Sequence, residues 1–230
     1  MSVVYFQNVR CSFANLTEPF VSQKFPGSPP MFSIDIINLD PNSPGVKEFL
    51  ALYSSLASAT WKEHAPNVMQ MIQNDKRARC FGMGPEKINE TTFKPLDGYE
   101  QGFWINAKNK NRPQIIRPDG SAAQNDMEAV QLARKIYGGC RINIAVRPWL
   151  RTSNKGVSCD LIAVQFAGDD KPFGESAPDV SNLFGATQAP AAVPSFAAAP
   201  QMPAAPFGGV QAPAAPQMAA FAAPTMPWAQ

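Results

Sequence analysis

Hydrophobic and polar positions alternate along several separate stretches of the chain. In residues 103–112, Phe103, Ile105 and Ala107 share one parity, while Trp104, Asn106, Lys108, Lys110 and Arg112 share the other. In residues 141–149, Ile142, Ile144 and Val146 alternate with Arg141, Asn143, Arg147 and Trp149. A period of two places the parities on opposite faces of a β-strand. Each stretch therefore predicts an apolar inner face and a basic, tryptophan-bearing outer face. Residues 3–13 and 31–37, rich in β-branched and aromatic side chains, predict two earlier strands. Residues 157–166 are apolar on both parities and predict a central strand buried on both sides.

Breaks between these stretches are chemically marked. Residues 15–30 hold Pro19, Pro26, Gly27, Pro29 and Pro30 and read as a long loop. Pro113 lacks an N–H to give a ladder, Gln114 to Arg117 resume an extended run, and Pro118-Asp119-Gly120 reads as a turn. Residues 98–120 thus predict a hairpin or bent strand pair, and 152–156 a turn between the last two strands.

Helical spacing appears in three places. Val46, Phe49, Leu50, Tyr53, Leu56, Ala57 and Trp61 recur every three or four residues behind Ser43 as cap and Pro44 at the first position. Trp61 is expected in the core. A second helix is expected over 67–75. A third starts at Asn125 as cap, carries a stripe of Met127, Val130, Ala133 and Ile136, and ends at Gly138-Gly139. About five strands with inserted helices predict a mainly β fold. Its nucleic-acid-binding form is the OB-fold, a partly open five-stranded barrel.

Composition divides the chain. After Asp179 there is no charged residue, only Ala, Pro, Gln, Met and Gly with isolated rings such as Phe184, Phe196, Phe207, Phe221 and Trp228. Such a segment offers little apolar surface to offset chain entropy. The expectation is a domain over 1–175 and a disordered Ala/Pro-rich tail over 176–230. The net charge of +2 is too small to name a partner, but its distribution is not even. Four basic and no acidic residues lie between Trp104 and Pro118, and six basic and no acidic ones between Arg134 and Lys155. Cations interleaved with stackable rings are what a sequence-tolerant single-strand binder needs. The candidate contacts are Trp104, Lys108, Lys110, Arg112, Arg117, Arg141, Arg147, Trp149, Arg151 and Lys155. The blander reading is that lysines at strand ends are solvated and guard sheet edges against aggregation.

Other classes find little support. Cys11, Cys80, Cys140 and Cys159 form no C-x-x-C pair, and His64 is the lone histidine, so neither a zinc site nor any other cofactor is expected. Scattered thiols suit a reducing cytoplasm. No phosphate loop, paired-carboxylate motif or H-E-x-x-H is present, so no enzyme is expected. No apolar run reaches the length of a membrane span, and the first residues do not read as a secretory signal.

In order along the chain, S-F-A-N-L-x-E-P (Ser12 to Pro19), G-Y (Gly98, Tyr99) with I-N-A-x-x-K-x-R-P (Ile105 to Pro113), Y-x-G-C-x-x-N (Tyr137 to Asn143), K-G-V-S-x-x-L-x-A-V-Q (Lys155 to Gln165) and P-F-G (Pro172 to Gly174) resemble the OB-fold single-stranded DNA-binding proteins of tailed bacteriophages. That resemblance implies an OB-fold coating single-stranded intermediates of replication and recombination. It also implies a C-terminal tail that meets replication proteins such as polymerase or helicase-primase. Family tails end in acidic residues and an aromatic; here Asp179 to Phe184 is a faded form, and the terminal residues carry no acidic side chain. Single-stranded RNA, or interaction through the tail alone, is the alternative the residues leave open.

Overall fold

The computed structural model describes residues 2–21 and 27–173. Seven strands and three α-helices follow in the order β1 (Val4–Phe20), β2 (Met31–Leu39), α1 (Pro44–Trp61), α2 (Ala65–Asn74), β3 (Phe81–Met83), β4 (Phe103–Asn109), β5 (Gln114–Ile116), α3 (Asp126–Ala133), β6 (Arg141–Arg151) and β7 (Gly156–Gly168).

Five strands close on themselves. β1 pairs antiparallel with β2 and with β6, β2 with β4, and β6 with β7. A parallel contact between β4 and β7, Lys108 opposite Asp160, completes the ring. This is the five-stranded barrel expected of an OB-fold, and closure removes the free edges an open sheet would expose. β3 extends β4, and β5 runs parallel to β7. β4 and β5 are therefore not a hairpin. Pro113 separates them, and Gln114 to Ile116 find their ladder on β7 instead. β7 has three pairing neighbours, but it is not buried on both sides as its composition suggests: Val157, Cys159, Leu161 and Val164 face the core, while Ile162 and Ala163 are only half-buried.

The inner parity behaves as its pattern requires. Ile34 and Ile36, Ile105 and Ala107, and Ile142, Ile144 and Val146 are all fully buried. Helix α1 adds Val46, Phe49, Tyr53 and Ala57 to the same core. Phe49 meets Phe81 edge-on with ring centroids 5.6 Å apart, and Phe81 stacks on Phe103. Burying each such ring is worth about 1.5–3 kcal/mol. Pro44 opens the helix, though the Ser43 side chain makes no capping bond; the helix stops where Lys62 turns to a positive φ of 48°. Helix α2 begins two residues earlier than its pattern indicates. In α3 the Asn125 side chain accepts from Glu128 N as expected, at 3.0 Å. Its buried stripe, however, is Ala129 and Ala133, and Met127 is exposed. Trp61 is half-buried against the core edge.

β1 departs most from expectation. It continues through residues 15–20, which pattern reading assigns to a loop, because Asn15 and Phe20 find partners in Ser33 and Met31. Two slips of phase hide this continuity. Val4 and Phe6 are core, then Cys11, then Leu16. Parity changes at Asn8 (φ 50°) and again at Phe13 (φ 48°), each an extra residue in the ladder. Such bulges accentuate twist and re-aim side chains. The four cysteines are free and buried. The expected tail, residues 176–230, and its boundary lie outside the described residues.

Candidate nucleic-acid interface

The outer face of β1, β2 and β4 carries a groove of about 630 Å³, walled by Phe13, Phe20, Met31 and Lys108 and floored by Ser33, Asp35 and Asn106. The bulge at Phe13 creates one wall. Phe13 and Ala14 together stand opposite Ile34, so Ala14 returns to the core while the Phe13 ring stays outside, 54% exposed. A left-handed φ is unusual for a bulky residue and costs backbone energy, so it is held by its surroundings. The Phe13 ring lies 6.2 Å from that of Tyr99, tilted by 38°. Phe20 is 52% exposed at the strand's end.

The floor is a buried polar network. Asp35 points outward from β2 yet is almost wholly buried. Its carboxylate accepts from Tyr99 Oη at 2.5 Å, Asn106 Nδ2 at 2.7 Å and Lys87 Nζ at 2.8 Å. Burial, and then the neighbouring Asp35 charge, push the Tyr99 hydroxyl far above its ordinary pKa, so it stays protonated and donating. Lys87 also sits 4.1 Å from the Trp104 ring centroid, a cation–π contact.

Trp104 corrects a sequence expectation. It lies on the outer parity, but residues 84–101 fold over that end of β4. It joins a small buried cluster with Ile37 and Tyr99, against which Leu96 and Phe173 pack; its indole N–H donates to Met83 O at 3.1 Å, and only 8% of it is exposed. It offers no free face to a base.

The cationic candidates separate into two groups. Lys108, Lys110 and Lys155 are exposed and have no ion-pair partner among the described residues. The arginines are engaged. Arg117 holds Glu128 through two bonds of 2.7 Å. Arg141 donates to Asp170 at 2.8 Å, and Arg147 to Asp160 at 2.7 Å. Arg112 donates to Leu16 O at 3.1 Å and lies over the Phe32 ring. Arg151 donates to the carbonyls of Arg77 and Ala78, tying the β6–β7 turn to the Lys76–Arg79 run. Trp149 is 42% exposed in a separate cleft, with Leu52 and Leu56 of α1 on its other side.

The structure thus brings Lys108 to the groove and leaves Trp104, Lys110, Arg112, Arg117, Arg141, Arg147, Trp149, Arg151 and Lys155 outside its lining. It adds Phe13, Phe20 and Lys87, which the strand-face argument does not single out, and Asn106, which that argument puts on the outer face without naming it a contact. The signal for Phe13 was present as the phase change between Cys11 and Leu16. Among the described residues no three His, Cys, Asp or Glu side chains gather where they could hold a metal ion, and no helix is long and apolar enough to cross a membrane.

The family model described as "Enterobacter phage Enc34, ssDNA-binding protein" matches residues 1–192. The chain belongs to that family. Two solved structures share the fold. The C-terminally truncated single-stranded DNA-binding protein from bacteriophage Enc34 is 21% identical, covering 74% of this chain and 88% of its own, with a TM-score of 0.54. The same phage protein in complex with ssDNA is 22% identical, covering 75% and 89%, with a TM-score of 0.51. No curated protein sequence matches the chain.

Proposed function

We propose that this protein binds single-stranded DNA without sequence preference, in the groove on the outer face of β1, β2 and β4, and so coats single-stranded intermediates of replication and recombination. The observation that carries the site is Phe13: an exposed ring, set by a bulge on a buried polar floor, beside Lys108, which has no ion-pair partner among the described residues. Every base has a π-face, so stacking on Phe13 and Phe20 tolerates any sequence. Lys108, Lys110 and Lys155 supply phosphate contacts. Arg117, Arg141 and Arg147 already hold carboxylates and contribute less. Family membership supports the reading, as does the solved complex of a phage relative with ssDNA.

A titration with single-stranded DNA, duplex DNA and single-stranded RNA of one length, at two salt concentrations, tests this. Single-stranded DNA should bind most tightly, and affinity should fall with salt. Equal affinity for the duplex would remove the stacking argument.

The reading extends to residues 176–230, where rings recur in an uncharged Ala/Pro background. We propose that these rings engage a replication protein such as polymerase or helicase-primase. Removal of residues 176–230 should abolish capture of that partner and leave DNA affinity near that of the full chain; unchanged capture would contradict the role.

A further inference from the structure

Residues 84–101, between β3 and β4, form a second wall that the barrel strands do not supply. The ends are pinned: Gly84 N donates to Gly102 O at 2.8 Å and Leu96 N to Lys87 O at 2.9 Å. At the tip, Asn89 N donates to Lys94 O and Phe93 N to Asn89 O, while Asn89 Oδ1 accepts from Thr91 N at 2.8 Å and Thr92 N at 3.1 Å. This closed turn presents Phe93 with a φ of 55° and 82% of its surface exposed. An apolar ring held outward on left-handed backbone is not explained by packing, because it touches no core. Between the tip and β1 lies a cleft of about 610 Å³, lined by Ser12, Asn89, Thr92 and Lys94, and by Phe13. Phe13 also walls the groove on β2 and β4, so the two depressions adjoin on either side of one ring.

We propose that the 84–101 segment is an additional nucleotide subsite: a strand lying in the barrel groove passes Phe13, enters the cleft, sets a phosphate at Lys94 and stacks a base on Phe93, which stands at the turn just outside the cleft lining. The inference rests on the groove reading above and lengthens the site. The cleft mixes apolar surface from Phe13 and Leu96 with the polar groups of Ser12, Asn89 and Thr92, as a base with its sugar and phosphate requires, and Lys94 supplies the charge a phosphate needs beside the single carboxylate of Asp97.

Oligothymidylates of about 5 and about 12 nucleotides, within the range of OB-fold site sizes, separate the two claims. Phe13→Ala should weaken both. Phe93→Ala should weaken the longer by on the order of tenfold and leave the shorter unchanged, with no change in melting temperature, since the ring is exposed. Phe93→Trp should restore the longer complex, and its fluorescence should be quenched by the longer oligonucleotide only. If Phe13→Ala weakens both while Phe93→Ala weakens neither, or both equally, the subsite is overturned and the groove stands. If Phe13→Ala weakens neither, the groove reading itself fails and the subsite with it.

Discussion

The outer parities of residues 103–112 and 141–151, which hold β4 and β6, look alike in sequence, each a tryptophan and two or more cations, and the fold uses them in opposite ways. On β4 the ring is buried and the lysines are open: Trp104 lies under residues 84–101, whereas Lys108 stands at the groove without an acidic partner among the described residues. On β6 the ring is open and the arginines are closed: Trp149 is 42% exposed, whereas Arg141 and Arg147 hold Asp170 and Asp160. Parity decides which way a side chain leaves the sheet. What then meets it depends on elements far away in sequence. A planar guanidinium fixed by a carboxylate is a poor free phosphate ligand, and a flexible ammonium in water is a ready one.

This contrast can be broken by substitution, and the largest effect should come from Trp104. Trp104→Ala removes a buried ring and the hydrogen bond to Met83 O, and should destabilise the domain by about 3–5 kcal/mol in denaturant melts. An unchanged melt would mean that the loop does not cover the ring.

A smaller effect should distinguish lysine from arginine. Lys108→Ala should flatten the plot of log affinity against log salt by roughly 0.7, the value of one lost single-strand phosphate contact. Arg147→Ala should leave that slope nearly unchanged, because its charge is already met by Asp160. Equal changes in the two variants would erase the distinction between the faces.

The smallest effect is on acid stability. Asp170 titrates below the usual carboxylate range because the Lys171 N–H and then the Arg141 guanidinium bond to it. Glu128 is lowered chiefly by Arg117. A depressed folded-state pKa gives stability that is fully present above the unfolded value, about 4, and is lost as pH falls through the folded one. Both groups are only partly buried and solvent screens their ion pairs, so the effect should be slight. The melting temperature of Asp170→Asn should lie a little below the parent's at pH 6, and the two should converge as pH drops below the carboxylate range. A difference that persists in strong acid would contradict the ion-pair account.

Much of the barrel is legible in the sequence because strict alternation in residues 31–37, 103–107 and 141–147 has one physical cause, burial of one sheet face. β7 was recognisable as central because both its parities are apolar. The site was less legible. Lysines 108, 110 and 155 stand out as cations, but nothing local shows that Glu128, Asp160 and Asp170 will reach the arginines across 11 to 29 residues. Phe13 was hidden for a different reason. A bulge breaks the period that pattern reading relies on, and the residue it ejects is the one that walls the groove.

The central claim is that single-stranded DNA lies on the face built by β1, β2 and β4, with Phe13 as its stacking ring. Binding of one labelled oligonucleotide to the parent, Phe13→Ala and Trp149→Ala proteins tests it most directly. The account expects Phe13→Ala to lose about 1–3 kcal/mol of binding with its melting temperature unchanged, and Trp149→Ala to lose distinctly less. Parent-like binding by Phe13→Ala together with a large loss in Trp149→Ala would place the strand on the β6 face instead and contradict the account.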